Sequence, residues 1–386
     1  MQIININEII NFIRKLYNSN ELINIHSPFF KGNEKRYLQD CIDSTFVSYL
    51  GKYVTKFEKM TAEYTGAKYA VAVVNGTVAL QIALQLSGVE YGDEVITQPL
   101  TFVATANAIS HCGAKPIFTD VDLDTMGMSP DKLYDWLNKN VKFNKKTGKP
   151  YNHTTMHSIS AIVPMHTFGH PCRIDEIVEI ANKYKIPVVE DSAESLGSFY
   201  KGKHTGTFGL AGIISYNGNK IITTGGGGMI ITNNEEFAKK ARHITTTGKV
   251  PHKWEYIHDV IAYNFRLTNV NAAIGVAQME YLNEILDNKK ETAGLYKEFF
   301  SKFEDVKYID KPQYANPNYW LNIILFRNIE DRNNFLEMTN NEGIQTRPAW
   351  KLLNELKMYK NCMSGNLDNS KYINEKLVNI PSGIRK

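Results

Sequence analysis

The stretch YAVAVVNGTVALQIALQLSG, residues 69–88, joins two local patterns. Its first part, 69–74, is an apolar run with three valines, which predicts a β-strand that is covered on both faces. Its second part, 77–88, predicts a helix that ends at Gly88, because glycine favours helix ends. A buried strand that leads directly into a helix is the building unit of α/β folds, so this stretch predicts such a fold.

The same alternation continues to residue 233. Helical patterns separate most of the later strands, and the helix over 129–140 has a clear start, with Ser129 as N-cap and Pro130 at its first position. The last two strands are too close for a helical crossover, so one of them should be antiparallel. We expect an α/β fold with a mostly parallel seven-stranded sheet. The predicted strands are 69–74, 93–98, 115–122, 159–165, 186–191, 212–217 and 228–233.

The chain has 386 residues, which at roughly 150 residues per domain favours two domains. We expect an N-terminal helix or arm over 1–30, a large domain over 31–268 and a small C-terminal α+β domain over 269–386. A long helical pattern that starts at Asn269 marks the second boundary. The polar stretch 140–158 has no period and predicts an inserted surface loop.

Composition argues against several classes of protein. The net charge of +4 is small and no basic run follows a phosphate backbone, so we expect no nucleic-acid partner. No apolar run reaches about 18 residues and the N-terminus lacks the pattern of a signal peptide, so we expect a cytoplasmic protein without membrane contact. The four cysteines match neither a zinc module nor a disulfide framework. His166 and His170 lack a third ligand, so we expect no metal.

Two polar sites fall at predicted strand ends, where open α/β sheets bind ligands. Asn75, Gly76 and Thr77 open the helix that follows the first strand, and a helix N-terminus suits a phosphate, although Thr77 could equally be a simple cap. Glu190 and Asp191 end the strand 186–191. A buried carboxylate there needs a partner, either an ion pair, a helix cap or a protonated ring nitrogen.

The third site is Lys220, in SYNGNKIITTGGGG (215–228). A lysine in a partly desolvated pocket is a nucleophilic amine that can form a Schiff base, and four following glycines allow close approach of a ligand. The alternative is an ordinary lysine in a turn. Taken together, a phosphate cradle, a carboxylate and an amine in one site favour pyridoxal 5'-phosphate (PLP) as cofactor.

Many blocks of the chain, in order, resemble the DegT/DnrJ/EryC1/StrS sugar-nucleotide aminotransferases. These blocks span nearly the whole chain, and they include VSYLGKYVTKFE, NGTVALQIAL, VVEDSAESLGS, SYNGNKIITTGGGG, YNFRLTNVNAAIG and RPAW. The resemblance implies a PLP-dependent transferase of fold type I, similar to aspartate aminotransferase, that acts as a homodimer with shared active sites. Within the family, VPMHTFGHP, EDSAESLGS and NGNKIITTGGGG are most similar to the aminotransferases of legionaminic acid and related nonulosonate biosynthesis.

The resemblance also implies roles for individual residues. Lys220 would form the Schiff base with PLP and move a proton during the reaction, and Asp191 would pair with the ring nitrogen. The phosphate would be bound by the backbone of Gly76 and Thr77 and by the hydroxyl of Ser215. The remaining implied cofactor contacts are Phe102 stacked on the ring, Ala193 and Glu194 beside it, and Asn264 reaching the cofactor of the partner subunit.

The implied reaction is transamination at C4 of a 4-keto-6-deoxy-2-acetamido sugar linked to UDP or GDP, with L-glutamate as amino donor. Perosamine- and bacillosamine-type sugars are alternative substrates, and a lyase, a dehydratase or a non-catalytic PLP- or sugar-binding regulator are alternative functions. Lysine at 220, where dehydratase relatives carry histidine, favours transamination. Gly226 departs from the common family form TTGEGG. Ser48, His166 and Arg347 are candidate substrate contacts, with packing or an ion pair as the alternative.

Overall fold

The computed structural model describes residues 5–385. The described chain has a large central sheet, covered by helices on both faces, and a smaller sheet towards the C-terminus. The α-helices are α1 (Ile6–Tyr17), α2 (Glu34–Asp43), α3 (Lys52–Thr65), α4 (Gly76–Leu86), α5 (Ala104–His111), α6 (Pro130–Asn140), α7 (Ile174–Lys183), α8 (Glu235–Thr245), α9 (Asn269–Met279), α10 (Leu282–Phe300), α11 (Ile329–Asn341) and α12 (Asp368–Lys376).

The strands of the described chain follow the predicted positions closely in the large sheet. In chain order they are β1 (Tyr69–Val73), β2 (Glu94–Thr97), β3 (Lys115–Phe118), β4 (Val141–Phe143), β5 (Pro150–Asn152), β6 (Ile159–Val163), β7 (Val189–Asp191), β8 (Phe199–Tyr200), β9 (Lys203–His204), β10 (Ala211–Ser215), β11 (Gly228–Thr232), β12 (Lys249–Val250), β13 (Ile257–His258), β14 (Val306–Tyr308), β15 (Ala315–Asn316), β16 (Asn322–Phe326), β17 (Arg347–Pro348) and β18 (Leu377–Ile380).

The central sheet has seven strands in the order β1-β11-β10-β7-β6-β2-β3. Two ladders, β1-β11-β10-β7 and β3-β2-β6, are joined by parallel bridges between Ile162 and Val188 and between Met165 and Asp191. Strand β11 is antiparallel to both of its neighbours, while the pairs β10–β7, β2–β6 and β2–β3 are parallel. The predicted α/β fold, with one antiparallel strand among the last two, is confirmed.

Strand β1 shows why the sheet is buried on both faces. Its alternate residues enter different clusters: Val71 and Val73 pack with helices α4 and α8, whereas Ala70 and Ala72 pack with α3 and α9. Because successive side chains of a strand point to opposite faces, a strand covered on both sides must be apolar throughout. The continuous apolar run at 69–74 therefore reflects this sandwich of two helical layers.

The C-terminal region forms an antiparallel sheet in the order β14-β16-β18-β17. Helix α1 packs against this region, since Ile9, Ile10 and Ile13 share a cluster with Phe300 of α10 and Ile324 of β16. The amphipathic N-terminal helix thus has a defined apolar partner. Its first predicted residues, 1–4, lie outside the described part, and the domain boundaries at 30 and 268 stay a prediction.

The structure refines two local predictions. The helical pattern after Asn269 is not one helix but two, because the chain leaves helical geometry at Tyr281, whose hydroxyl bonds to Glu34 and, at 3.1 Å, to the carbonyl of Phe29. The stretch 140–158 is not an irregular loop but carries the hairpin β4–β5. The Oδ1 atom of Asn144 accepts from the backbone of Lys146 at 2.9 Å and closes the turn, a local bond that hydropathy does not reveal.

Within residues 5–385, no helix combines the length and the apolar composition that crossing a bilayer requires.

Candidate active site

A cavity of about 300 Å³ lies beyond the carboxyl ends of β7 and β10, at the start of helix α4. This is the edge where an open α/β sheet binds ligands. Two tryptophans from the C-terminal region, Trp320 and Trp350, contribute to its wall. Of the twelve residues predicted for the site, eight line the cavity: Gly76, Thr77, Phe102, Asp191, Ala193, Glu194, Ser215 and Lys220.

The start of helix α4 offers hydrogen-bond donors to the cavity. The Asn75 side chain caps the helix by accepting from the amide of Val78 at 2.8 Å. In the described chain no acceptor serves the amides of Gly76 and Thr77, which therefore remain available to a ligand. Ser215 is close by, since a Cβ atom on Gly76 would lie 3.1 Å from the Cβ of Ser215. Free amides, the helix dipole and a hydroxyl together suit a phosphate group.

Asp191 is the last residue of β7 and is buried. Its Oδ2 atom accepts a hydrogen bond from the hydroxyl of Thr105 at 2.7 Å, and its Oδ1 atom accepts from the amide of Ala193 at 3.2 Å. No cationic side chain within residues 5–385 pairs with this carboxylate. A carboxylate that is buried, oriented and open to one cavity can stabilise a protonated ring nitrogen placed there.

Lys220 and Glu194 form an ion pair inside the cavity. The Lys220 Nζ atom lies 3.2 Å from Oε1 of Glu194, and the two side chains are 12% and 1% exposed. The second oxygen of Glu194 accepts from the amide of Phe168 at 2.9 Å. Burial raises the pKa of Glu194 to about 7, although Lys220 acts in the opposite direction. This carboxyl can therefore exchange a proton near neutral pH.

Phe168, which holds Glu194, has an unusual backbone. It adopts φ of 57°, the left-handed region that a bulky side chain seldom occupies. Its ring is fully buried and stacks on Trp350 with the ring centroids 4.6 Å apart. The strained backbone of Phe168 thus lets its amide donate to Glu194 while its ring packs against Trp350 in the cavity wall.

The glycines after Lys220 have different structural reasons. Gly225 has φ of 79°, where other residues are strained, and a Cβ on Gly228 would meet the backbone of Asn75 at 2.4 Å. Gly226 is different: it lines the cavity, and a Cβ there would meet only the carbonyl of Val74, at 3.9 Å. Neither the backbone nor packing requires glycine at 226. Its effect is to leave open space in the cavity.

Four predicted residues do not line the cavity. His166 is fully buried, and its Nε2 atom donates to Glu190 at 3.1 Å while its Nδ1 atom accepts from the amide of Cys172 at 3.3 Å. Both ring nitrogens are thus used inside the core, and the substrate contact of His166 stays a prediction. Despite burial, the bond to His166 lowers the pKa of Glu190.

The other three residues lie outside the cavity. Ser48 and Asn264 are exposed, and Arg347 donates to Oδ1 of Asn340 at 3.0 Å. Within residues 5–385 no carboxylate pairs with Arg347, so the structure does not show the alternative of a structural ion pair. The role predicted for Asn264 concerns a partner subunit and stays a prediction, as do substrate contacts of Ser48 and Arg347.

Sequence reasoning missed three parts of the site. Thr105 orients Asp191, and Trp320 and Trp350 line the cavity. Thr105 lies in the first turn of α5 and carries no local signal that distinguishes it from a cap. The tryptophans are more than 100 residues from the central sheet's first strands. Trp350 ends the block RPAW, whereas only its rarity, as one of four tryptophans in the whole chain, marks Trp320.

The chemistry of this cavity fits PLP. The free amides of Gly76 and Thr77 can bind its phosphate, and Asp191, a carboxylate without a cationic partner, can pair with its ring nitrogen. The amine of Lys220 can react with its aldehyde. The model for the DegT/DnrJ/EryC1/StrS aminotransferase family matches residues 29–385. The chain belongs to this family. It is accordingly a PLP-dependent aminotransferase of fold type I.

Relatives of this aminotransferase carry related names. It is 39% identical to GDP-perosamine synthase of Escherichia coli O157:H7, over 87% of each chain. It is 36% identical to the putative pyridoxal phosphate-dependent aminotransferase EpsN of Bacillus subtilis, over 86% of this chain and 82% of that one. Among solved structures, aminotransferase TlmJ from Streptoalloteichus hindustanus is 26% identical with a TM-score of 0.84, covering 94% and 93% of the two chains.

These comparisons support the family and not the narrower subgroup. Several similar curated relatives are named GDP-perosamine synthase, whereas the resemblance to legionaminic acid aminotransferases rests on sequence blocks alone. The chain is a sugar aminotransferase of this family. Its particular sugar is a matter of proposal.

Proposed function

We propose that this aminotransferase transfers an amino group from L-glutamate to C4 of a nucleotide-linked 4-keto-6-deoxy sugar. The observation that carries the proposal is the Lys220–Glu194 pair, enclosed in a cavity that also presents Asp191 and the free amides of helix α4. The names of relatives at 39% and 34% identity, both GDP-perosamine synthase, support a nucleotide sugar as the acceptor.

Two sugars are candidates. The sequence blocks VPMHTFGHP, EDSAESLGS and NGNKIITTGGGG favour a 2-acetamido sugar linked to UDP or GDP, as in nonulosonate biosynthesis. The named relatives favour a GDP-linked sugar of the perosamine type, which carries a hydroxyl at C2. The open space at Gly226 is compatible with the larger, acetamido-bearing substrate. We therefore place the 2-acetamido sugar first and the perosamine-type sugar second.

PLP, when bound, supplies an aldehyde that takes up the amino group and a ring that withdraws electrons from the reacting carbon. The chain's own groups divide the remaining work. The amides of Gly76 and Thr77 and the hydroxyl of Ser215 would hold its phosphate, and Asp191, oriented by Thr105, would pair with its ring nitrogen. These contacts would fix the orientation of the cofactor.

Proton movement falls to Lys220 and Glu194. The Nζ atom of Lys220 lies in the cavity, where it can take a proton from one carbon and deliver it to another. Glu194, with a pKa of about 7, can hold a proton at Oε1, 3.2 Å away. The rings of Trp320, Trp350 and Phe102 line the same cavity and displace water from it.

The first test is a visible absorbance spectrum of the holoenzyme during titration with L-glutamate. Loss of the yellow colour would establish the amino-donor half-reaction. Nucleotide sugars are then added one at a time, as UDP and GDP forms with either a 2-acetamido or a 2-hydroxyl group. Recovery of the colour with one sugar identifies the acceptor. A coloured protein that no amino acid bleaches would contradict the proposal.

We also propose a homodimer with shared active sites. Exposed apolar side chains support it, since Trp254, Tyr256 and Ile261 are each more than 70% exposed, close in sequence to Asn264. Complementation tests it directly. If Asn264 acts on the partner's cofactor, mixing inactive Lys220→Ala and Asn264→Ala subunits restores one complete site per mixed dimer. No recovery after exchange of subunits would show that each site uses one chain only.

We place the enzyme in the cytoplasm. All four cysteines, Cys41, Cys112, Cys172 and Cys362, are free thiols. Free thiols are typical of reducing compartments, whereas secreted proteins more often pair them. Fractionation of cells that express the protein, with a periplasmic marker as control, tests this location.

A further inference from the structure

We infer that Trp320 is a positioning residue for Lys220, held in place by Asn318 and Lys289. The inference rests on the proposed role of Lys220 as the reacting amine. It concerns a residue from the C-terminal region that no local sequence pattern connects to the lysine.

Trp320 contacts Lys220 in two ways. The Lys220 Nζ atom lies 4.2 Å from the centroid of the Trp320 ring, within the range of a cation–π interaction. The indole N–H donates to the carbonyl of Asn219, the residue before Lys220, at 2.6 Å. One side chain therefore restrains both the backbone that carries the lysine and the amine at its tip. Because Trp320 is 4% exposed, water competes little for either contact.

Asn318 links the same segment to Glu194, the ionic partner of Lys220. Its Nδ2 atom donates to the carbonyl of Glu194 at 2.8 Å and to that of Leu196 at 2.9 Å. Its Oδ1 atom accepts from the amide of Trp320 at 2.8 Å. The segment 318–320 thus fixes the backbone of Glu194 through one residue and Lys220 through another, which sets the distance between the two side chains.

Lys289 of helix α10 holds the segment 318–320 by a hydrogen bond to its last residue. Its buried Nζ atom donates to the carbonyl of Trp320 at 3.3 Å and to the carbonyl of Ser382. A buried ammonium needs such partners, and it leaves little freedom to the carbonyls that it holds. Hydrogen bonds therefore hold the amide, the carbonyl and the indole ring of Trp320. Because Asn318 and Lys289 fix its position, Trp320 can restrict the movement of Lys220.

The test compares Trp320→Leu, which removes both contacts, with Trp320→Phe, which keeps a ring but loses the N–H donor. Trp136→Leu and Trp136→Phe are matched controls, because Trp136 is also buried, at 6% exposure, but does not line the cavity. Each protein is stripped of PLP and treated briefly with acetic anhydride. Peptide mass spectrometry then measures the acetylation rates of Lys220, of buried Lys289 and of exposed Lys240.

We expect Lys220 to react about tenfold faster in Trp320→Leu and about threefold faster in Trp320→Phe, the scale of a lost cation–π contact and a lost hydrogen bond. Lys289 and Lys240 should react as in the wild type. In the reconstituted holoenzymes, the maximal rate of bleaching by L-glutamate should fall more than the apparent glutamate affinity.

Two results would overturn the inference: unchanged acetylation of Lys220 in both variants, or an equal rise at Lys289, which would mean general loosening of the core. If Trp320→Leu does not fold, the acetylation rate of Lys220 in Trp320→Phe, compared with the rate in Trp136→Phe, still tests the inference. The acetylation assay uses no donor or acceptor, so it remains informative even if L-glutamate proves not to be the amino donor.

Discussion

The Nζ atom of Lys220 and the Oε1 atom of Glu194 lie 3.2 Å apart in a cavity where Glu194 is almost fully enclosed. Enclosure favours the neutral form of the carboxyl, whereas the lysine favours the charged form, and the balance raises the pKa of Glu194 to about 7. An amine and a carboxyl that can share a proton at neutral pH are the central feature of this site.

The first prediction concerns pH and stability. The pKa of Glu194 rises from 4.5 to about 7 on folding, so the folded protein keeps a proton that the unfolded chain releases between these values. The stabilisation is therefore fully present below pH 4.5 and is lost as the pH rises through 7. In the cofactor-free protein, Glu194→Gln should remove a pH-dependent contribution on the order of 3 kcal/mol to the free energy of unfolding.

Urea unfolding between pH 4.5 and 8 measures this contribution. The wild type should lose more stability than Glu194→Gln as the pH rises across this window. Glu235→Gln, at an exposed position, is the control and should keep the wild-type profile. Parallel profiles for wild type and Glu194→Gln would show that Glu194 does not carry the proton.

The second prediction concerns the amine. Lys220→Ala should lower turnover by a factor of at least about 1,000, because the nucleophile and the proton carrier are lost together. The variant should fold, since Lys220 contributes little to the apolar core. Turnover is measured by coupled detection of 2-oxoglutarate, with exposed Lys240→Ala as control. Turnover near the wild-type rate would remove Lys220 from the mechanism.

The third prediction concerns the orientation of Asp191. Thr105→Val deletes the 2.7 Å hydrogen bond to Oδ2 at nearly constant volume, so PLP affinity should fall about tenfold, the scale of a bond to a charged group. Thr105→Ser keeps the hydroxyl and should bind PLP within about twofold of the wild type. Titration of the cofactor-free proteins with PLP, followed by visible absorbance, gives the affinities. Equal affinity of the Val and Ser variants would contradict the role.

The fourth prediction concerns space in the cavity. Gly226→Leu should fold normally, because nothing within van der Waals range but the carbonyl of Val74 faces its Cβ. Its side chain should occupy cavity volume and raise KM for the nucleotide sugar about tenfold, with a larger effect for 2-acetamido than for 2-hydroxyl sugars. Gly218→Leu is the control, since nothing lies within 4 Å of its Cβ and it does not line the cavity.

Melting temperature and initial rates separate the two effects of that substitution. A Gly226→Leu protein with unchanged KM for both sugars would show that the open space at 226 does not receive the substrate.

Local patterns predicted much of the site because the relevant residues sit at element boundaries. Asp191 ends an apolar strand, Gly76 and Thr77 begin a helix, and Lys220 precedes a glycine run. Each boundary leaves a mark in the sequence, as a change of period or a capping residue. His166 also follows a strand, β6, but the structure turns its side chain into the core towards Glu190, and no periodicity distinguishes the two outcomes.

By itself, the sequence determined the order of the seven central strands along the chain and the residues at their ends, because backbone propensity and burial on two faces act over a few neighbouring residues. It did not reveal the short strands β4, β5, β8 and β9. Only the tertiary structure decided the order of the strands, the contact of Thr105 with Asp191 and the approach of Trp320 to Lys220, 100 residues apart in the chain. Such contacts depend on how distant segments pack, and packing is settled by shape and hydrogen-bond satisfaction over the whole core and not by any local pattern.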